Sequence, residues 1–373
     1  MISIVPAVSR KYSEKKGLRV IAYLGLDRPN RRIDYGELLV KRMIESRHTI
    51  AGLVIHPSDR LADLARKYSI PYISIPLELL QPAAKIKEAL ALNQQFIEFY
   101  NIWLSHIRSF NADIGITTWA LWMPKELFSI PPEGFINYHP APLPQMRGME
   151  PDTFAVLEGR KEIYGTVHRV NHAFDCGNIV SWTKHIKIHK YDTPVSVLEN
   201  LNREGISTII HTLNSFADGT VKEVPQSEDE GTRTTRDMAR NESFIDWKTD
   251  TVESVDRKLR AFCGQDIGIR LKTFYRGVFH DVVDLEGYHG RFPGNPGDVL
   301  GFYSGRGFFK GQPVFRLTDG LAVLRLGREI KPLPYSSIFY NECPQEKLIP
   351  PGKRSRNTKR KMVLGSIGSR KLQ

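Results

Sequence analysis

The most informative stretch of the chain is Gly134-Phe-Ile-Asn-Tyr-His-Pro-Ala-Pro-Leu-Pro-Gln-Met-Arg-Gly148. Its first part reads as a buried strand, and Asn137 and His139 point to the same face because side chains alternate along a strand. The prolines that follow stiffen the exit, since each one fixes its own φ and restricts the residue before it. The stretch therefore predicts a strand whose end carries an amide and an imidazole side by side.

A carboxylate follows on a second segment. Asp175 lies in a turn-like Phe-Asp-Cys-Gly sequence just before the apolar run Asn178-Ile-Val-Ser-Trp182. An amide donor, an imidazole of tunable charge and a carboxylate that biases that imidazole suit acyl transfer through a tetrahedral oxyanion. Taken singly, Asn137 also fits a turn cap, His139 a core histidine whose ring nitrogens are hydrogen-bonded, and Asp175 an Asx turn. Taken together, we interpret Asn137, His139 and Asp175 as catalytic residues.

Strand and helix patterns alternate along the first half of the chain. Apolar runs at 18–25, 49–55, 72–75 and 113–119 read as strands, and helical spacing recurs at 34–46, 60–68 and 84–110. The alternation predicts an α/β fold, a Rossmann-like and mostly parallel sheet with flanking helices. Ligands of such sheets collect beyond the carboxyl ends of the strands. The turn after 113–119 and the end of the Asn137 strand are therefore expected to flank one crevice.

Charge and cysteine usage restrict the possible classes of protein. The net charge is +12, but the eight Lys and Arg residues of 352–373, which have no acidic counterpart there, account for most of it and leave +4 elsewhere. We predict a basic, disordered tail that either touches RNA or an acidic surface or is simply solvated. The three cysteines are far apart and predict neither a disulfide framework nor a metal site. No apolar run approaches the ~18 residues of a membrane span, and we interpret the chain as cytoplasmic.

The two site segments resemble the N10-formyltetrahydrofolate-dependent formyltransferases, a family that includes glycinamide ribonucleotide transformylase, methionyl-tRNA formyltransferase and the amino-sugar N-formyltransferases. The family pattern is roughly Asn-x-His-Pro-x-x-Leu-Pro-x-x-Arg-Gly, then Gly-Thr/Val-x-His-x(6)-Asp-x-Gly. This chain matches it at Asn137, His139, Pro140, Leu143, Pro144, Arg147, Gly148, Gly165, His168, Asp175 and Gly177.

The resemblance implies N10-formyltetrahydrofolate as co-substrate and no metal. By the same resemblance, the turn that holds Trp119, Leu121 and Met123 lines the pterin pocket, and His168 lies near the active site. We therefore assign these residues to cofactor binding and regard Arg147 as an anchor of the loop. The position of Cys176 is open in the family pattern, so this cysteine is interpreted as part of the wall.

A second domain is expected after a polar linker. Phe244-Ile-Asp-Trp247 through Arg260-Ala-Phe262 resembles the start of the C-terminal domain of methionyl-tRNA formyltransferases and of the aminoarabinose-modifying enzyme. Short glycine-punctuated strands favour a barrel independently, with 296–300 and 318–325 expected to pair. The predicted division is a leader (1–17), a catalytic domain (18–225), a linker (226–243), an OB-like barrel (244–335) and the basic tail (336–373).

Two details bear on the acceptor. The loop reads His-Pro-Ala-Pro-Leu-Pro from His139, where the tRNA enzymes commonly have His-x-Ser-Leu-Leu-Pro, and His168 stands where they commonly have Met. We therefore predict transfer to a small primary amine, a nucleotide-linked amino sugar, by a soluble enzyme that is compatible with a homodimer. One alternative is formylation of methionyl-tRNA, which the C-terminal barrel and the basic tail favour. The other is a non-catalytic folate- or nucleotide-binding module, because Ala141 and Gln145 depart from the commonest loop residues.

Overall fold

The chain forms two compact units. The computed structural model describes residues 17–25, 35–57, 60–118, 122–227, 229–262, 268–305 and 307–330. The first unit comprises Met1–Asp152, Arg160–Lys190 and Val195–Thr235, and the second comprises Thr153–Gly159, Tyr191–Pro194 and Arg236–Gln373. The main passage from one unit to the other, after Thr235, falls inside the predicted linker.

Strands and helices alternate over the first unit, as expected of a parallel sheet. The strands are β1 (Arg19–Leu24), β2 (Thr49–Ile55), β3 (Tyr72–Ser74), β4 (Ile114–Thr117), β5 (Phe135–His139), β6 (Arg147–Gly148), β7 (Glu162–Ile163), β8 (Thr166–Arg169), β9 (Ile179–Trp182), β10 (Ile186–Lys187) and β11 (Arg233–Thr234). The helices are α1 (Tyr35–Ile44), α2 (Leu61–Lys67), α3 (Ala83–Leu92), α4 (Gln94–Ser109), α5 (Lys125–Phe128), α6 (Pro151–Leu157) and α7 (Pro194–Ala217), with a short 3-10 turn at Leu77–Leu80.

The main sheet has seven strands in the order β3-β2-β1-β4-β5-β8-β9. The first five strands of this order run parallel, and β8 and β9 are antiparallel to their neighbours. The strand order reverses at β1, where the chain first builds outward to β3 and then returns to place β4 on the other side. Open α/β sheets bind their ligands beyond the strand ends at such a reversal.

Helices cover both faces of this sheet, which explains why its strands read as continuous apolar runs. Val20 and Ala22 of β1 pack on one face against α1 and α7, whereas Ile21 and Tyr23 pack on the other face against α4. The prediction of a mostly parallel, helix-covered sheet is confirmed.

The helical region predicted over 84–110 is divided into α3 and α4 at one residue. Asn93 has an extended backbone, and its side-chain oxygen accepts a hydrogen bond from the Phe96 N–H at 3.0 Å. An asparagine in this position supplies the acceptor that the first turn of a helix lacks, so α4 starts anew there.

The second unit contains a separate antiparallel sheet. Its elements are α8 (Arg236–Glu242), α9 (Val252–Phe262), β12 (Lys272–Tyr275), β13 (Val278–His289), β14 (Val299–Phe302), β15 (Pro313–Arg316) and β16 (Gly320–Ile330). The strand order is β12-β13-β16-β15-β14. The expected direct pairing of 296–300 with 318–325 is wrong, because β15 lies between β14 and β16. The separate β domain is confirmed, whereas its OB-like character stays a prediction.

No helix of the described ranges is both long and apolar enough to cross a membrane.

Candidate active site

A cavity of about 570 Å³ lies in the first unit, at the reversal of strand order. Its walls include Gly25 beyond β1, Thr117 and Thr118 at the end of β4, and Asn137 and His139 of β5. Parallel strands bring their carboxyl ends to one edge of the sheet, so these positions meet there despite their separation in sequence. The expected crevice is therefore present.

Asn137 faces a histidine across the antiparallel pairing of β5 with β8, whose register sets it directly opposite His168. Asn137 Nδ2 lies 3.0 Å from His168 Nε2, and the Nδ1–H of His168 donates to the Arg169 carbonyl at 2.8 Å. Because a carbonyl oxygen only accepts, Nδ1 carries a hydrogen; Nε2 accepts from the amide when the ring is neutral and is directed as a donor at Asp175 when the ring is protonated. Within the described structure, Asn137 Oδ1 is buried without a hydrogen-bond partner.

His139 is buried, with both ring nitrogens directed at protein oxygens. Its Nε2–H donates to the Met146 carbonyl at 2.9 Å, and its Nδ1 lies 3.7 Å from Asp175 Oδ1. An imidazolium has hydrogen on both nitrogens, so the protonated ring satisfies both neighbours at once. The geometry thus provides an acceptor oxygen for a hydrogen on each ring nitrogen.

Asp175 lies between the two histidines. Its Oδ1 is 3.5 Å from His168 Nε2, and its Oδ2 accepts a hydrogen bond from the Gly148 N–H at 2.9 Å. Burial by itself acts to raise the pKa of Asp175, but His139, the hydrogen bond and charge of His168 and the N–H of Gly148 together hold that pKa well below the usual range. Asp175 is therefore a stable carboxylate that attracts positive charge to the site.

Arg147 anchors the loop between β5 and α6, as predicted, and it does so through residues that the sequence did not single out. Its guanidinium donates to the Gln226 side-chain oxygen at 3.0 Å and to the Ser227 carbonyl at 2.8 Å. The side-chain amide of Gln226 donates in turn to the carbonyls of Asp175 and Gly177. Gln226 thus joins the two site segments, although its only signal was one glutamine in a polar stretch.

The same loop is held by a short parallel pairing of β6 with β11. The Arg147 N–H donates to the Thr232 carbonyl and the Met149 N–H to the Thr234 carbonyl, both at 2.9 Å. Gly148 has φ +102°, and a Cβ there would lie 2.5 Å from the Thr234 carbonyl oxygen. Only glycine permits this approach, which explains the Arg-Gly pair of the motif.

The predicted cofactor-binding residues fall into three groups. His168 lines the cavity beside Asn137, and Met123 is buried while also lining the cavity. Trp119 and Leu121 lie outside the described residues.

Cys176 is buried, and its S–H donates to the Phe174 carbonyl at 3.2 Å. Over the described ranges, no group of three or more His, Cys, Asp and Glu side chains is arranged to hold a metal ion.

Comparison with known proteins finds similarity to formyltransferases. Residues 35–213 match the Formyl transferase family model. A methionyl-tRNA formyltransferase of Agathobacter rectalis is 27% identical over 232 residues, which cover 61% of this chain and 70% of that protein.

Two solved structures share the fold. The N-formyltransferase of Helicobacter canadensis, in complex with folinic acid and dTDP-3-aminofucose, has a TM-score of 0.52 at 12% identity, covering 83% of this chain and 99% of that one. HypX of Aquifex aeolicus, in complex with tetrahydrofolic acid, has a TM-score of 0.51 at 16% identity, covering 88% of this chain. Only 48% of the HypX chain is spanned.

Residues 35–213 thus form a formyl transferase domain, and the resemblance to the formyltransferases is confirmed. The predicted class of enzyme, a transferase that uses formyl-folate as co-substrate, is confirmed at the level of the family.

Proposed function

We propose that the protein transfers the formyl group of N10-formyltetrahydrofolate to the primary amine of a nucleotide-linked amino sugar. The observation that carries this proposal is the convergence of Asn137, His139, His168 and Asp175 on one cavity wall. An amide, two imidazoles and a carboxylate are the groups that a tetrahedral oxyanion of acyl transfer requires.

Asn137 supplies the donor for the oxyanion in this proposal. In this proposal His168 is protonated at Nε2 and the Asn137 amide group rotates by a half-turn. Asn137 Oδ1 then accepts from His168 Nε2–H, and Asn137 Nδ2–H takes the former position of Oδ1. The amide then offers an N–H where its oxygen now has no partner. His168 therefore acts as a positioning residue, with Asp175 Oδ1 at 3.5 Å from its Nε2.

The reaction forms a bond between the acceptor nitrogen and the formyl carbon, and then breaks the bond from that carbon to N10 of the folate. The acceptor amine loses one proton and N10 gains one. Both ring nitrogens of His139 are directed at protein oxygens, those of Met146 and Asp175. In this proposal His139 therefore stabilises the developing oxyanion through its positive charge and not through a direct hydrogen bond. Asp175 holds that charge and receives the amine proton directly or through a water.

The small acceptor is favoured by sequence details. The tRNA enzymes commonly have Met at the position of His168, and a thioether, which is only a weak acceptor, cannot donate to the Asn137 amide as protonated His168 does in this proposal. The loop from His139 likewise departs from the one common among those enzymes. Both details lie in the site, which is where acceptor preference is expressed.

A second candidate, formylation of methionyl-tRNA, is favoured by a surface of the second unit. The Arg276 guanidinium lies 5.1 Å from the Tyr275 ring centre and 5.7 Å from that of Phe302, and Arg325 lies 5.9 Å from that of Phe308. We call these five residues the arginine–aromatic cluster. Exposed arginines interleaved with aromatic rings bind single-stranded nucleic acid by charge and by stacking.

The test is a side-by-side transfer assay. The full-length protein is incubated with N10-formyltetrahydrofolate and either a panel of dTDP-linked amino sugars or charged initiator tRNA. Release of tetrahydrofolate is followed by absorbance, and the formylated product is identified by mass spectrometry. Turnover of an amino sugar supports the proposal, turnover of charged tRNA alone transfers the conclusion to the second candidate, and turnover of neither overturns both.

A further inference from the structure

We infer that Arg233 is an anion-recognition residue at the cavity, and that it binds a carboxylate or phosphate carried by a substrate that also has a planar ring. The inference rests on the proposed function, since it concerns the same cavity. It adds a residue from outside the motif, in a stretch that the sequence analysis treated as linker.

Backbone pairing fixes the position of Arg233. It is the first residue of β11, and its register partner on β6 is Arg147. Hydrogen bonds from the Arg147 and Met149 N–H groups to the carbonyls of Thr232 and Thr234 hold the strand on either side of it. Arg233 is therefore presented to the cavity by sheet rather than by a free loop.

The guanidinium of Arg233 has an unused charge. It is exposed, lines the cavity, and donates only to the Cys176 Sγ, at 3.9 Å, among the described residues. Sulfur is a weak acceptor and leaves most of the donors of a guanidinium unmet. Arg147 is the other arginine among the described residues that line the cavity. It is 1% exposed and already donates to Gln226 and Ser227.

Apolar side chains border this charge. Phe174 and Met149 line the cavity and are each 42% exposed, so two large apolar side chains are open to a ligand there. Cys176, which contacts Arg233, also bonds to the Phe174 carbonyl, so the ring and the guanidinium flank the same turn. A planar ring can pack on Phe174 while an anion attached to it reaches Arg233.

Two substrate groups have this chemistry. One is the aminobenzoyl-glutamate end of the folate, in which an amide joins the ring to a glutamate that carries the carboxylates. The other is the nucleotide of the acceptor, in which a sugar joins the base to the phosphates. Carboxylates and phosphates both form paired hydrogen bonds with a guanidinium, which the single ammonium of lysine cannot reproduce.

The kinetic test uses Arg233→Ala and Arg233→Lys, with Arg108→Ala on the exposed side of α4 as the matched control. We expect Arg233→Ala to raise the KM of one anionic substrate about tenfold, with kcat within about twofold of wild type. Arg233→Lys should recover part of the loss, and added salt should shrink the difference. Arg108→Ala should change neither KM.

Two comparisons distinguish whether Arg233 binds a carboxylate of the folate tail or a phosphate of the acceptor. If the folate tail is bound, the KM effect appears with N10-formyltetrahydrofolate and grows with the number of glutamyl residues. If the acceptor phosphate is bound, the effect appears with the dTDP-linked sugar and disappears with the unphosphorylated amino sugar. A KM within about twofold of wild type for both substrates in Arg233→Ala overturns the inference.

A binding measurement separates this inference from the proposed function. Calorimetry with 5-formyltetrahydrofolate and with dTDP needs no turnover, so it works even if the true acceptor is another amine. Weaker binding of either probe to Arg233→Ala than to wild type supports the inference. Equal binding of both probes by the two proteins, or binding of neither by wild type, refutes it.

Discussion

The two units place their polar groups in opposite ways. In the first unit the imidazole of His139 and the carboxylate of Asp175 are buried and face each other at 3.7 Å. In the second unit the arginine–aromatic cluster is on the surface, with Phe308 84% exposed. Buried and mutually bound groups are positioned before a ligand arrives, which chemistry requires, whereas exposed groups adjust to a partner. Under the proposed function the reaction belongs to the first unit, and under the second candidate the second unit contributes to recognition of tRNA.

The largest effect is expected from Asn137→Ala. Loss of one oxyanion donor costs about 2.7–4 kcal/mol in the barrier, so kcat should fall on the order of a hundredfold or more. Steady-state kinetics of formyl transfer measures this. Asn101→Ala on the exposed surface of α4 is the control and should keep wild-type kcat. A kcat close to wild type in Asn137→Ala would break the comparison, because the buried groups would then not be catalytic.

A smaller loss is expected from His168→Met. The variant removes the partner of the Asn137 amide at 3.0 Å, and one hydrogen bond contributes about 0.5–1.5 kcal/mol. We expect kcat to fall roughly two- to tenfold with little change in KM, and His168→Gln, which retains a donor, to recover part of it. Equal losses in both variants would mean that His168 serves packing alone.

His48 tests whether a buried polar network can serve stability without serving chemistry. It lies near the amino end of β1, where its Nδ1 accepts the Leu18 N–H at 3.1 Å and its Nε2 faces Asn214 at 3.1 Å. Burial, and more weakly the charge of Arg47, lowers the pKa of His48 against the raising effects of Asn214 and Asp218. The unfolded chain therefore takes up the proton more readily than the folded protein does.

The stability from neutral His48 is present above its ordinary pKa of about 6.5 and is lost as the pH falls toward the lowered folded value. His48→Gln cannot titrate, so its urea unfolding free energy should vary less with pH than that of wild type below about pH 6.5. Transfer activity at neutral pH should be unchanged. Parallel stability curves for the two proteins would refute the assignment.

The smallest effect is expected in the second unit. Arg276→Ala combined with Phe302→Ala should leave kcat and KM for a small amine within about twofold of wild type, because the exposed cluster takes no part in the chemistry. If charged tRNA is the acceptor, the same pair should raise the KM for tRNA and reduce the salt dependence of binding. Filter binding at several salt concentrations distinguishes the two results. A large loss with a small amine would contradict the division of roles.

The sequence predicted what depends on local periodicity. The apolar run at 49–55 coincides with β2, and the helical spacing at 60–68 coincides with α2. Asn137 and His139 were identified because two rules apply within one strand: side chains alternate between its faces, and ligands bind beyond its carboxyl end. The motif added Asp175, whose distance in sequence conceals its contact with His139.

What the sequence did not predict depends on long-range pairing. The Asn137–His168 contact depends on the antiparallel pairing of β8 with β5, and no local sequence pattern predicts the register of that pairing. β11 has two residues and pairs with β6 across a large part of the chain, so it leaves no periodic signal. In the second unit, β15 separates two strands that looked like neighbours.

The Gln226 bridge limits how far the protein can be trimmed. The family match ends at residue 213, whereas the acceptors of the Arg147 guanidinium, Gln226 and Ser227, come later. A fragment cut at the end of the match would lose these two acceptors of a buried arginine and also β11, the strand that pairs with β6. The smallest piece that keeps the walls of this cavity thus extends at least through Thr234, beyond the end of the family match.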